Sequence, residues 1–105
     1  MSIQGILLLI VMCKEFDRIV NSVAEAMDMM PFQVTCPGMF KEQITARWLV
    51  VKLLAEKGFY THQIAMRMNM TERNVNIILK AVKDLSSRDE NFVRKLEMAR
   101  KSLNS

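Results

Sequence analysis

The chain has 105 residues, 50% hydrophobic and 25% charged, with a formal net charge of +4. That length makes one domain, and that balance excludes a disordered chain. Three glycines and two prolines are too few for the turns of a β-sandwich or barrel, and two cysteines (Cys13, Cys36) without CxxC spacing, beside a single histidine, exclude a disulfide framework and a zinc motif.

A reduced, cytoplasmic chain is the simplest expectation. Ten methionines against seven aromatic residues point to a pliable helical core. Charge is segregated. Residues 1–40 hold two bases, Lys14 and Arg18, against four acids, whereas residues 41–105 hold thirteen bases against seven acids. A basic half suits a polyanionic partner, although a basic run also serves as an ordinary solvated face.

In chain order, the apolar run Ile6–Met12 comes first. A membrane-spanning helix needs about 20 apolar residues, and Lys14, Glu15, Asp17 and Arg18 close this run early. It has neither the basic start nor the small-residue cleavage site of a secretory leader. Residues 1–13 are therefore expected to be buried or covered by a partner. A homodimer contact is one use, and a short membrane anchor is the competing one.

Phe16, Ile19, Val20, Val23, Ala24 and Met27 recur at helical spacing, which predicts a helix from about Lys14 to Met29. The apolar run extends it back through Gly5, and Pro31 is expected to end it. Residues 31–38 read as a connection with one helical turn starting at Pro31; Pro37-Gly38 is a turn signal. A second long helix is predicted over Lys41–Lys57, with Ile44, Trp48, Val51 and Ala55 as its stripe and Leu49, Leu53 and Leu54 widening it. So wide a stripe marks a central helix. Gly58 caps its end.

Thr61 is expected to cap a short helix that Asn69 ends, and Thr71 to cap the next. That next helix carries Val75, Ile78, Leu79, Val82 and Leu85 inward until Ser86-Ser87 breaks it. Ser87 and Glu90 form a capping-box pair for a last helix with Phe92, Val93, Leu96, Ala99 and Leu103 inside.

The stretch from Thr61 to Ile78 reads as a helix-turn-helix. Ala65 is small where two steeply crossed helices meet. Asn69 tolerates the left-handed backbone of a sharp turn. The second helix keeps a polar outer face with Glu72, Arg73, Asn74, Asn76, Lys80 and Lys83. Arg and Asn suit bidentate contacts with guanine and adenine in the major groove. From Lys57 to Lys83 there are five bases (Lys57, Arg67, Arg73, Lys80, Lys83) against one acid, Glu72. A plain helical hairpin in a bundle uses some of the same residues.

The segment Thr45-Ala46-Arg47-Trp48-Leu49-Val50-Val51-Lys52-Leu53-Leu54, followed by His62-Gln63-Ile64-Ala65 and then by Val75 to Leu85 and Asn91-Phe92-Val93, resembles the C-terminal DNA-binding domain of the replication initiator DnaA. The likeness runs over about residues 16–103, by pattern more than by identity. It implies an all-α, five- to six-helix Trp-repressor-like helix-turn-helix domain that binds duplex DNA. The family's DNA-contacting Arg at the start of its central helix falls on Arg47, which otherwise reads as an exposed or ion-paired helix residue. Two features depart from the family. Its Arg-Asp-His signature followed by two Ser/Thr residues is replaced by Met70-Thr71-Glu72-Arg73-Asn74. Its basic loop is replaced by the uncharged Val34 to Phe40. No Gly-rich phosphate loop is present, so no ATPase module is expected, and recognition of the initiator's own sites does not carry over.

The expected reader is the helix 71–85. Thr71, Arg73, Asn74 and Asn76 would meet bases, and Arg47, Thr61, Gln63, Lys80 and Lys83 would meet phosphates. The implied protein is a small bacterial or phage-type regulator or a replication-associated protein. The competing reading is a protein-interaction or dimerisation module on the same fold. An enzyme is the weakest reading, since no metal constellation, nucleophile–base pair or phosphate loop is readable. No cofactor, metal, membrane or small-molecule substrate is expected. His62 reads as a surface histidine, and Trp48 and Phe59-Tyr60 as core and turn packing.

Overall fold

The computed structural model describes residues 3–35 and 40–104, with side chains from residue 13 onward. Cys36, Pro37, Gly38 and Met39, and so the expected Pro37-Gly38 turn, lie outside the described residues. Six helices follow one another: α1 Ile3–Met27, α2 Pro31–Thr35, α3 Lys41–Glu56, α4 Thr61–Met68, α5 Glu72–Arg88 and α6 Glu90–Asn104. No strand occurs among the described residues.

α3 is the central helix, touching α1, α2, α4 and α5, while α6 lies along α1 and against α5. The buried face of α3 consists of Ala46, Leu49, Val50, Val51, Leu53 and Leu54. That face is rotated from the expected stripe. Ile44, Trp48 and Ala55 end half-buried on its flank. The buried face is the one turned to α1, α4 and α5, which pack against α3 from other parts of the chain. Ile19 and Val23 from α1, Ile64 from α4, Val75 and Val82 from α5 and Leu96 from α6 complete the core. Buried Ser22 satisfies its hydroxyl by donating to the Arg18 carbonyl at 2.9 Å.

Three helices stop in the same way. Asp28 at φ 54°, Gly58 at φ 93° and Asn69 at φ 53° are all left-handed. In each case the following N–H reaches back to a carbonyl five residues earlier: Met29 to Ala24, Phe59 to Leu54 and Met70 to Ala65. This is the Schellman ending. α1 therefore ends at Asp28, three residues before Pro31, which instead opens α2 as its first residue. A Cβ on Gly58 would meet nothing within 4 Å, so its backbone angle, not space, asks for glycine there.

The helix starts differ from expectation at two places. Thr61 is the first residue of α4, and Tyr60 precedes it as the cap. Gln63 closes that turn, its carboxamide oxygen accepting from the Tyr60 N–H at 2.8 Å. Gln33 does the same for Met30 before α2. Ser86 and Ser87 do not break α5. The Ser87 hydroxyl donates to the Asp84 carbonyl at 2.7 Å, which suits an unbroken helix. Asp89 is the residue that caps α6, accepting from the Phe92 N–H at 3.2 Å. A carboxylate two residues on thus outcompeted the Ser87–Glu90 pair.

Candidate nucleic-acid interface

α4 and α5 are joined by Asn69, Met70 and Thr71. Ile64 and Ala65 of α4 and Val75 and Ile78 of α5 are buried where the two helices meet the core. Thr71 holds the start of α5, its hydroxyl oxygen accepting from the Asn74 N–H at 3.1 Å. A second tie joins the two helix starts directly: the Thr61 hydroxyl donates to the Glu72 carboxylate at 3.2 Å.

The outer face of α5 is exposed at Glu72, Arg73, Asn74, Asn76, Ile77, Lys80 and Lys83. Helical geometry sorts these residues. Arg73, Ile77 and Lys80 stand one turn apart along a single line. Asn74 and Asn76 flank that line, about 160° apart. Asn74 turns towards α3, where it lines a depression of about 320 Å³ together with Arg47, Trp48, Asn69 and Ile78. Arg47, half-buried, thereby stands on the α5 side of the molecule. Asn76 lies on the opposite flank, beside Lys83.

Arg73, Lys80 and Lys83 have no carboxylate within ion-pairing distance among the described residues. The other two bases of the expected patch are occupied elsewhere. Lys57 stands 3.7 Å from Glu15 of α1. Arg67 lies over the Phe16 ring at 6.0 Å and donates to the Cys13 sulfur, so it fastens α4 to α1. The basic patch is thus three residues wide and confined to α5, with Arg47 at its edge.

Two of the expected phosphate contacts have local work. Thr61 is bonded to Glu72, and Gln63 closes the turn at Tyr60. Ile77 was missed by the sequence reading, yet it is 56% exposed at the centre of the line. An apolar residue there matches the thymine methyl group, the one apolar feature of the major groove. The signal was available: Ile77 falls opposite the Val75, Ile78 and Val82 stripe. Glu72 is the one acid at the start of α5. It favours the helix dipole and disfavours a phosphate at the same spot.

Tyr60 is also not packed into the turn as expected. It is 68% exposed and stacked on His62, with ring centroids 5.8 Å apart. Among the described residues no group of three His, Cys, Asp or Glu side chains stands close enough to hold a metal ion. No helix there is long and apolar enough to cross a membrane. No family model, curated protein or solved structure matches the chain.

Proposed function

We propose that the chain is a Trp-repressor-like helix-turn-helix protein that binds duplex DNA by laying α5 in the major groove. The observation that carries this reading is the exposed line Arg73–Ile77–Lys80, whose cations lack carboxylate partners among the described residues, on a helix whose start is fixed by a short turn. Arg73 and Ile77 would meet base edges, with Thr71, Asn74 and Asn76 at the sides. Lys80, Lys83 and Arg47 would meet phosphates on either side of the groove. A small bacterial or phage-type regulator, or a replication-associated protein, is the role this reading carries.

The test is fluorescence anisotropy of labelled random duplex DNA at several salt concentrations. Binding that weakens steeply with salt supports the reading, because each neutralised phosphate releases counterions. No binding at low salt overturns it. The second reading, an interaction module on the same fold, draws on exposed apolar residues away from α5. Met66 is 76% exposed on α4, and Phe32 and Phe40 are 65% and 75% exposed on either side of residues 36–39. Salt-insensitive self-association without DNA binding would favour it.

A further inference from the structure

Between the first turns of α3 and the junction of α5 with α6 lies a cleft of about 440 Å³. Its size falls within the range of small-molecule sites. Ile44, Trp48, Leu85 and Phe92 supply its apolar walls. Three of these, Ile44, Trp48 and Leu85, have helical positions suited to a core yet remain only half-buried. Apolar surface is therefore left open inside a concave site, not scattered over a convex one.

The rim of the cleft is charged. Lys41 and Lys95 line it from α3 and α6. Neither lysine has an ion-pair partner among the described residues, whereas Arg100, one turn and a half further along α6, is paired with both Glu56 and Glu97. Asp89 is the one carboxylate of the lining, and it is bonded to the Phe92 N–H at 3.2 Å as the α6 cap. Thr45 and Asn91 add hydrogen-bonding groups. Trp48 adds an indole N–H with no acceptor among the described residues. An apolar body with one anionic head suits the apolar walls and the two lysines, with Asp89 engaged at the start of α6.

We infer that the cleft binds a small amphipathic carboxylate, with an aryl or alkyl body against Trp48 and Phe92 and its carboxylate between Lys41 and Lys95. The site is separate from the outer face of α5, and its test contains no DNA, so it stands or falls apart from the proposed function. Trp48 is the single tryptophan and reports directly on occupancy. The intact chain is titrated with 3-phenylpropanoate and with octanoate while Trp48 emission is recorded. The neutral 3-phenylpropanamide and octanamide are titrated in parallel.

A saturable emission change with either carboxylate, at least tenfold weaker with its amide, is the expected result. Lys41→Ala with Lys95→Ala should weaken the carboxylate at least tenfold, Lys95→Arg should retain it, and Lys101→Ala, outside the cleft, should leave it unchanged. Far-UV circular dichroism checks that each variant is folded, and Lys95→Arg carries the test if the double variant is not. No saturable change with either carboxylate overturns the inference. So does equal affinity for acid and amide, or equal loss in Lys101→Ala.

Discussion

The bundle of α1, α3 and α6 and the pair α4–α5 use charge in opposite ways. In the bundle, charges tie elements together. Arg100 of α6 grips Glu56 of α3 with a two-pronged contact, Nε to Oε1 at 3.0 Å and a second bond beside it. Lys57 reaches Glu15, Arg18 donates to the Leu103 carbonyl at 3.1 Å, and Ser102 donates to Glu25 at 2.8 Å. On α5, Arg73, Lys80 and Lys83 pair with no carboxylate among the described residues. Both regions are basic in sequence, so the count of lysines and arginines does not separate cations that join helices from cations that do not. Their contacts do. Arg67 makes the point, since it belongs to α4 by sequence and serves α1 by contact.

The largest expected effect breaks the supporting side. Leu54 is fully buried at the centre of the bundle. Leu54→Ala should cost about 2–5 kcal/mol, read as a lowered urea midpoint with little change in m-value. DNA affinity of the remaining folded fraction should stay the same. The next effect sharpens the α5 side. Arg73→Ala should cost about 1–3 kcal/mol of discrimination between a selected site and random duplex, while Lys80→Ala should weaken both alike and lower the salt slope by about 1. Anisotropy on the two duplexes measures both, and identical losses in the two variants would dismiss this division of roles. Neither substitution should move the melting temperature, because neither side chain has an ion-pair partner among the described residues.

A smaller effect tests the turn that joins the two helices of the pair. Asn69→Ala places an ordinary L residue in left-handed backbone and should cost about 1 kcal/mol, whereas Asn69→Gly should be neutral or slightly stabilising. In thermal melts Asn69→Ala should fall several degrees below the parent, and Asn69→Gly at or slightly above it. The smallest effect lies in the bundle's ion pairs. The Arg100 hydrogen bonds hold Glu56 below the usual carboxylate range, against the burial that pushes it up. A lowered folded pKa means the stabilisation is complete above the unfolded pKa and is lost as pH falls through the folded one. Glu56→Gln should therefore cost about 1 kcal/mol or less at neutral pH. That difference should shrink below about pH 4, in urea melts taken across the acid range.

Long helices were legible because their apolar period is local to each segment. α1 with its backward extension, central α3, the short α4, and Asn69 and Gly58 as stops all follow from residues within a turn or two. Chain punctuation was less legible where two residues compete for one job. Pro31 stood as an obvious stop for α1, but Asp28 took the left-handed position first. Ser87 and Asp89 both stood as candidates to cap α6, and the carboxylate won. For the candidate site, the exposed face of α5 was readable from periodicity. The inward turn of Arg67, the engagement of Thr61 with Glu72, and the rotation of α3 that leaves Ile44 and Trp48 half-buried depend on neighbours distant in sequence. Periodicity within one helix carries no information about those neighbours.

The seam between α1 and α6 also bears on the order of assembly. The Arg18–Leu103 contact closes a loop of 85 residues, whereas Thr61–Glu72 closes one of 11. Loop-closure entropy makes the longer link dearer by about 2 kcal/mol before any packing is gained. On that ground α4–α5 is expected to form against α3 before the α1–α6 seam closes. Kinetics should carry the signature: Val75→Ala should slow folding, and Leu103→Ala should act mainly by speeding unfolding. Until that seam closes, the apolar faces that α1 and α6 turn to each other stay open to water, so a chain with only α3–α5 assembled would be the species most exposed to aggregation during refolding.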